Sequence, residues 1–137
     1  MVVMLVQDSG QEETRQTWDK TVVLIEDDAH LVSLFSDALS LLSQWKLQVF
    51  SDGEAAKQSV PEMNAQLIIL DVGLPSLDGA SLYRILRAHN NTKQTPILVI
   101  TGSQEWELHR MGLKPGYLLQ KPFGIHELIA MIQALVP

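Results

Sequence analysis

Nine residues in the middle of the chain, Leu67-Ile68-Ile69-Leu70-Asp71-Val72-Gly73-Leu74-Pro75, restrict its fold more than any other stretch. Four large apolar side chains run into one carboxylate and then into a Gly/Pro turn. A strand with one solvated face alternates apolar and polar residues. A short unbroken apolar run closed by turn residues instead reads as a strand buried on both faces, as in a parallel sheet covered by helices. Asp71 then stands at the carboxyl end of that strand, where open α/β sheets place their ligands. A carboxylate there is a metal ligand, a nucleophile or a helix cap.

The same grammar recurs along the chain. Thr21-Val22-Val23-Leu24-Ile25 runs into Glu26-Asp27-Asp28, Leu47-Gln48-Val49-Phe50 into Ser51-Asp52-Gly53, Pro96-Ile97-Leu98-Val99-Ile100 into Thr101-Gly102, and Tyr117-Leu118-Leu119 into Gln120-Lys121-Pro122. Between these runs the apolar period changes to that of a helix. Leu31, Leu34, Phe35, Ala38, Leu41 and Leu42 mark a first amphipathic helix, with Asp27 or Asp28 as its N-cap. A short helix over 54–60 closes at Pro61. A third carries Leu82, Ile85 and Leu86, is capped by Asp78 and ends at Asn90-Asn91. A weakly patterned fourth lies around 104–111, and a last one over 123–136 buries Leu128, Ile129, Ile132 and Leu135. The fold class predicted is α/β, five βα units in which helices cover both faces of a five-stranded parallel sheet.

Residues 20–137 form this domain. Residues 1–19 read as a leader or linker: Met1–Val6 is apolar enough for a strand, whereas Gln7–Asp19 is polar and lacks a helical stripe. With no cysteine there are no disulfides or thiolate metal sites. A net charge of -6 argues against direct nucleic-acid binding, which needs clustered Lys and Arg. No apolar run approaches the roughly 20 residues of a membrane span, and Met1–Val6 lacks the basic start of a signal peptide. A cytoplasmic location is expected.

Parallel strands bring Glu26 and Asp27, Asp71, Thr101 and Lys121 to one edge of the sheet. Three neighbouring carboxylates do not all stay ionised without a compensating cation. With oxygen ligands alone that cation is hard, and Mg²⁺ fits better than Zn²⁺. Lys121 adds a second positive charge and Thr101 a hydroxyl, a set suited to a phosphoryl group. Asp71 is then a candidate nucleophile that forms an acyl phosphate. His30, His89, His109 and His126 lie on separate predicted helices and offer no ligand spacing, while Trp45 and Trp106 read as partly buried packing residues.

From about Lys20 to Val136 the chain resembles the receiver domain of two-component response regulators. The resemblance rests on Val22–Asp28, on Leu67–Gly79, on Ile100-Thr101-Gly102 and on Lys121-Pro122-Phe123, in that order. It implies a flavodoxin-like three-layer sandwich with strand order 2-1-3-4-5. It also implies that Asp71 is the phosphoacceptor and that Glu26, Asp27, Asp71 and the Gly73 carbonyl hold Mg²⁺. Thr101, with the Gly102 N–H, and Lys121 would contact the phosphoryl group, and Lys121-Pro122 is a candidate cis bond. The implied partners are a histidine kinase or phosphotransfer protein and a downstream effector protein or domain. No membrane partner and no separate substrate are expected, and the oligomeric state stays open.

One position departs from the family. Three residues before the lysine it usually carries Tyr or Phe, a switch coupled to the threonine; here Leu118 stands there and Tyr117 is one step early. Adjacent strand residues face opposite sides, so Tyr117 serves only if a bulge shifts the register. Two other readings remain beside the phosphoacceptor. A receiver-like scaffold would bind partners without phosphorylation. A phosphatase of the haloacid dehalogenase type also uses a strand-end Asp, but it needs a second Asp where this chain has Gly73.

Overall fold

The apolar runs pair side by side as the alternation of periods predicts. The computed structural model describes residues 2–6, 12–16, 20–42, 45–74 and 77–136, the first two segments as backbone only. A two-stranded antiparallel hairpin, β1 (Val2–Val6) with β2 (Glu12–Gln16), precedes the main sheet. The hairpin lies within residues 1–19, the stretch read as a leader or linker. The rest of residues 1–19, like Pro75-Ser76 of the central turn, lies outside the described residues.

The main sheet holds β3 (Lys20–Ile25), β4 (Trp45–Phe50), β5 (Leu67–Asp71), β6 (Ile97–Thr101) and β7 (Tyr117–Gln120). All are parallel, in the order β4-β3-β5-β6-β7. Counted within this sheet, that is the expected 2-1-3-4-5. The five helices are α1 (Ala29–Ser40), α2 (Gly53–Ser59), α3 (Gly79–Ala88), α4 (Glu105–Arg110) and α5 (Ile125–Leu135). None is long and apolar enough to cross a membrane among the described residues.

The period of two along each strand sorts the core into two layers. Val22, Leu24, Leu67, Ile69, Leu98, Ile100 and Leu119 pack with Phe35, Ala38 and Leu39 of α1 and Leu128 and Ile132 of α5. Val23, Ile25, Ile68, Leu70, Ile97 and Val99 pack with Ala56 of α2, Val60, and Leu82 and Leu86 of α3. A small third cluster joins Leu108 of α4 to Ala80 and Leu113.

Local chemistry sets the helix boundaries. Asp28, Asp52 and Asp78 cap α1, α2 and α3 by accepting from the amides of His30, Glu54 and Ala80. Asp28 rather than Asp27 is thus the cap of α1, which leaves the Asp27 carboxylate uncommitted by that role. Leu41 corrects the predicted apolar stripe: it follows the last residue of α1 and is 67 % exposed, while Leu39 is buried. Beyond the last full turn the chain leaves the helical path, so the period no longer tells which way a side chain points. The α2 helix ends at Ser59, just before Pro61, and the chain continues as a 3-10 turn, Val60–Glu62. Gly79 opens α3 because a Cβ there would lie 2.3 Å from the Val72 Cα. That close approach seats the helix directly on the turn after Asp71.

Candidate functional site

Parallel pairing converges the strand ends, as predicted, at the carboxyl edge. Asp71 is the last residue of β5 and continues the face of Leu67 and Ile69, toward α1 and α5. Glu26 and Asp27 follow β3 directly, and the Glu26 amide extends the sheet by donating to the Phe50 carbonyl at 2.9 Å. Lys121 follows β7, its amide bonded to the Thr101 carbonyl at 2.7 Å, and the Lys121-Pro122 peptide is cis.

The side chains of three of these elements meet. Lys121 Nζ lies 3.5 Å from Glu26 Oε1 and 3.5 Å from Asp71 Oδ2. The carboxylate oxygens of Glu26, Asp27 and Asp71 lie within 4.8 Å of one another. Glu26 and Asp71 are buried and Asp27 is exposed, so the cluster opens to solvent on one side. Two backbone amides orient Glu26, as Oε2 accepts from Asp27 at 3.0 Å and from Asp28 at 3.3 Å. The Gly73 amide orients Asp71 by donating to Oδ1 at 3.0 Å.

Glu26 carries the electrostatic tension of the cluster. Burial, together with the neighbouring Asp71 carboxylate, raises its pKa to about 7, against the lowering effect of Lys121 and of the Asp28 N–H. Its Oε1 is buried and has no hydrogen-bond partner among the described residues. One ammonium shared by two carboxylates leaves the cluster short of positive charge. A hard divalent cation bound by Glu26, Asp27 and Asp71 would supply that charge and engage the Glu26 Oε1 oxygen, which faces the ammonium without a hydrogen bond.

Thr101 is placed at the same edge, but no hydrogen bond among the described residues joins its side chain to the cluster. Within β6 it continues the face of Ile97 and Val99, opposite that of Asp71. Its Oγ1 accepts from the Ser103 amide at 2.9 Å, and Gly102 beside it is exposed. Gly73, whose carbonyl the family pattern names as a ligand, is exposed in the turn.

The departure at Leu118 is settled by register. β7 pairs with β6 without a bulge, Leu98↔Tyr117, Val99↔Leu118, Ile100↔Leu119 and Thr101↔Gln120. Leu118 therefore shares the face of Val99 and Thr101, and Tyr117 lies on the other face, 45 % exposed. Val72 and Tyr83 of α3 pack on the same two clusters as Leu118. The guanidinium of Arg87 stands 5.5 Å over the Tyr83 ring. The aromatic side chain that shares both clusters with Leu118 thus comes from a helix rather than from the strand.

Trp106 is not the partly buried residue expected: it is 58 % exposed, with the Arg110 guanidinium 5.9 Å over its ring. A six-residue helix has too few turns to bury a ring on its outer side. Trp45 is half-buried against the α1/α5 core as expected, with Lys20 Nζ 5.1 Å over its ring. The sequence did not single out Ser103 and Gln120. Gln120 Nε2 donates to the Ser103 carbonyl at 3.0 Å, and only the adjacency of Gln120 to Lys121 hints at it.

Residues 22–133 match the family model for the response regulator receiver domain. The chain is 35 % identical over 119 residues to the transcriptional regulatory protein GltR of Pseudomonas aeruginosa, a match covering 85 % of this chain and 49 % of GltR. It thus spans about half the length of curated relatives of that kind. Among solved structures it superposes on the receiver domain of the sensor histidine kinase PA1611 of P. aeruginosa, which holds a magnesium ion in its active-site cleft. That superposition has a TM-score of 0.76 and 26 % identity, covering 85 % of this chain and 96 % of the other. The chemotaxis response regulator CheY4 of Vibrio cholerae shares the fold, with a TM-score of 0.75 at 23 % identity over 85 % of this chain and 98 % of that one.

Proposed function

The chain belongs to the response regulator receiver domain family, and from that premise we propose that Asp71 accepts a phosphoryl group. A histidine kinase or phosphotransfer protein is the donor in this reading, and a protein partner or an effector segment receives the signal. One observation carries the reading. A single ammonium, Lys121 Nζ, stands 3.5 Å from both Glu26 and Asp71, and the oxygens of Glu26, Asp27 and Asp71 crowd within 4.8 Å at the ligand-bearing edge of the sheet.

In the transfer, a carboxylate oxygen of Asp71 forms the new P–O bond while the donor's bond to phosphorus breaks, and the leaving group takes the electron pair. Gly73 holds the Asp71 carboxylate in place through its amide. Lys121 stands ready to pair with a phosphoryl oxygen once the acceptor carboxylate is esterified. Glu26, Asp27 and Asp71 would hold Mg²⁺, with the Gly73 carbonyl as a further ligand. That set of oxygens would give the site, with the ion bound, a positive charge to set against the transferring phosphoryl oxygens. Thr101 and the Gly102 amide contact the group after the loop that bears them has turned inward. The domain acts on no separate substrate; its own carboxylate is what is modified.

Leu118 in the place of an aromatic side chain favours a second reading, an interaction scaffold whose partner binding is independent of phosphorylation. One experiment separates the two. The intact mass is measured after incubation with acetyl phosphate, with and without Mg²⁺, for the wild-type chain and for Asp71→Asn. One phosphoryl adduct that needs Mg²⁺ and is lost in Asp71→Asn supports the phosphoacceptor. Folded wild-type protein that takes up no phosphoryl group supports the scaffold, and an adduct that survives in Asp71→Asn means another residue is the acceptor.

A further inference from the structure

Resting on the phosphoacceptor reading, we propose that Gln120 is a positioning residue that holds the β6–α4 loop, and with it the Thr101 hydroxyl, away from the phosphoryl site. The register Thr101↔Gln120 puts both side chains on one face of the sheet. Two bonds then tie residues 120–121 to Thr101 and the loop, and a third folds the loop back onto Thr101. The Lys121 amide donates to the Thr101 carbonyl at 2.7 Å, the Ser103 amide to Thr101 Oγ1 at 2.9 Å, and Gln120 Nε2 to the Ser103 carbonyl at 3.0 Å. Of the three, only the Gln120 contact draws its donor from a side chain.

The Thr101 hydroxyl is turned into its own loop. Bringing Oγ1 onto a phosphoryl group on Asp71 means giving up the Ser103 amide, and moving Ser103 draws its carbonyl away from Gln120. The Gln120 bond therefore belongs to the resting arrangement alone. A contact made in one of two states biases the equilibrium toward that state and opposes any ligand that needs the other. Lys121, on the same strand end, faces the carboxylates at the same time. Two consecutive residues thus divide the work: Lys121 favours the anion, and Gln120 restrains the loop that closes on it.

The effect is set by one hydrogen bond at the surface, since Gln120 is exposed. Its loss changes the balance of states by about two- to fivefold. The test is a titration of the full chain with beryllofluoride, a phosphoryl mimic, in Mg²⁺, followed by ¹⁹F NMR. Gln120→Met keeps the length of the side chain and removes the donor; Gln120→Leu repeats the test with a different shape. Both are expected to bind beryllofluoride about two- to fivefold more tightly than wild type, a direction that mere structural damage does not produce. In a Thr101→Val background the gain is expected to vanish, because no hydroxyl links the loop to the ligand. Equal or weaker binding by the folded Gln120 variants overturns the proposal, as does an undiminished gain without the Thr101 hydroxyl. A wild-type chain that binds no beryllofluoride removes the phosphoacceptor reading itself, and this proposal with it.

Discussion

Lys121 Nζ and Asp71 Oδ2 stand 3.5 Å apart, and the same ammonium is equally far from Glu26 Oε1. One cation serves two buried carboxylates, so its removal acts in opposite directions on cation and anion. In Lys121→Met the carboxylates lose their competitor, and Mg²⁺ affinity is expected to rise several-fold in a titration followed by calorimetry. Phosphoryl uptake from acetyl phosphate is expected to fall at least tenfold, about 1.4 kcal/mol of lost transition-state stabilisation. Unchanged uptake would remove Lys121 from the site.

Glu26 predicts a pH dependence. Its pKa is raised from 4.5 to about 7 in the folded chain, so the native state binds more protons than the unfolded state between those values. The stability linked to this group is fully present below pH 4.5 and is lost as pH rises through 7. Metal-free protein should therefore lose on the order of 1–3 kcal/mol across that window. Glu26→Gln flattens the profile, and Mg²⁺ offsets the loss at high pH in the wild type. Urea unfolding at a series of pH values, with chelator and with Mg²⁺, measures both effects.

Leu118 and Tyr117 are adjacent and should behave as opposites. Leu118 packs on the same two clusters as Val72 and Tyr83, so Leu118→Ala is expected to destabilise the fold by about 2 kcal/mol. Tyr117 is 45 % exposed on the other face, so Tyr117→Ala should stay within about 1 kcal/mol of wild type. Denaturant midpoints decide. A larger loss at Tyr117 would contradict the unbulged register of β7.

Gly79→Ala forces a methyl group to within 2.3 Å of the Val72 Cα, a backbone atom that does not yield cheaply. The expected destabilisation is about 1–3 kcal/mol. Because Val72 follows Asp71, Mg²⁺ binding should weaken as well. A variant as stable as wild type, with wild-type Mg²⁺ affinity, would mean that α3 is not seated on the Asp71 turn.

Much of this protein is determined by local rules that a sequence displays. Unbroken apolar runs such as Leu67–Leu70 demand a strand covered on both faces, and the shift to helical spacing after Asp28, Asp52 and Asp78 demands helices between the strands. Parallel strands joined in that way have their carboxyl ends on one edge, which is why Glu26, Asp71, Thr101 and Lys121 could be grouped before any coordinates. What tertiary structure alone decided depends on which face a side chain meets and on distances of a few ångströms. Register showed that Leu118, not Tyr117, shares the face of Thr101. Packing left Leu41 exposed where the period suggested burial, and Trp106 exposed where a packing residue was expected. Burial beside the Asp71 carboxylate raised the pKa of Glu26, and the Gln120–Ser103 bond joined residues 17 positions apart. Hydrogen bonds and pKa shifts between residues distant in the chain leave no period in a sequence, because they arise only once independent elements have been packed against one another.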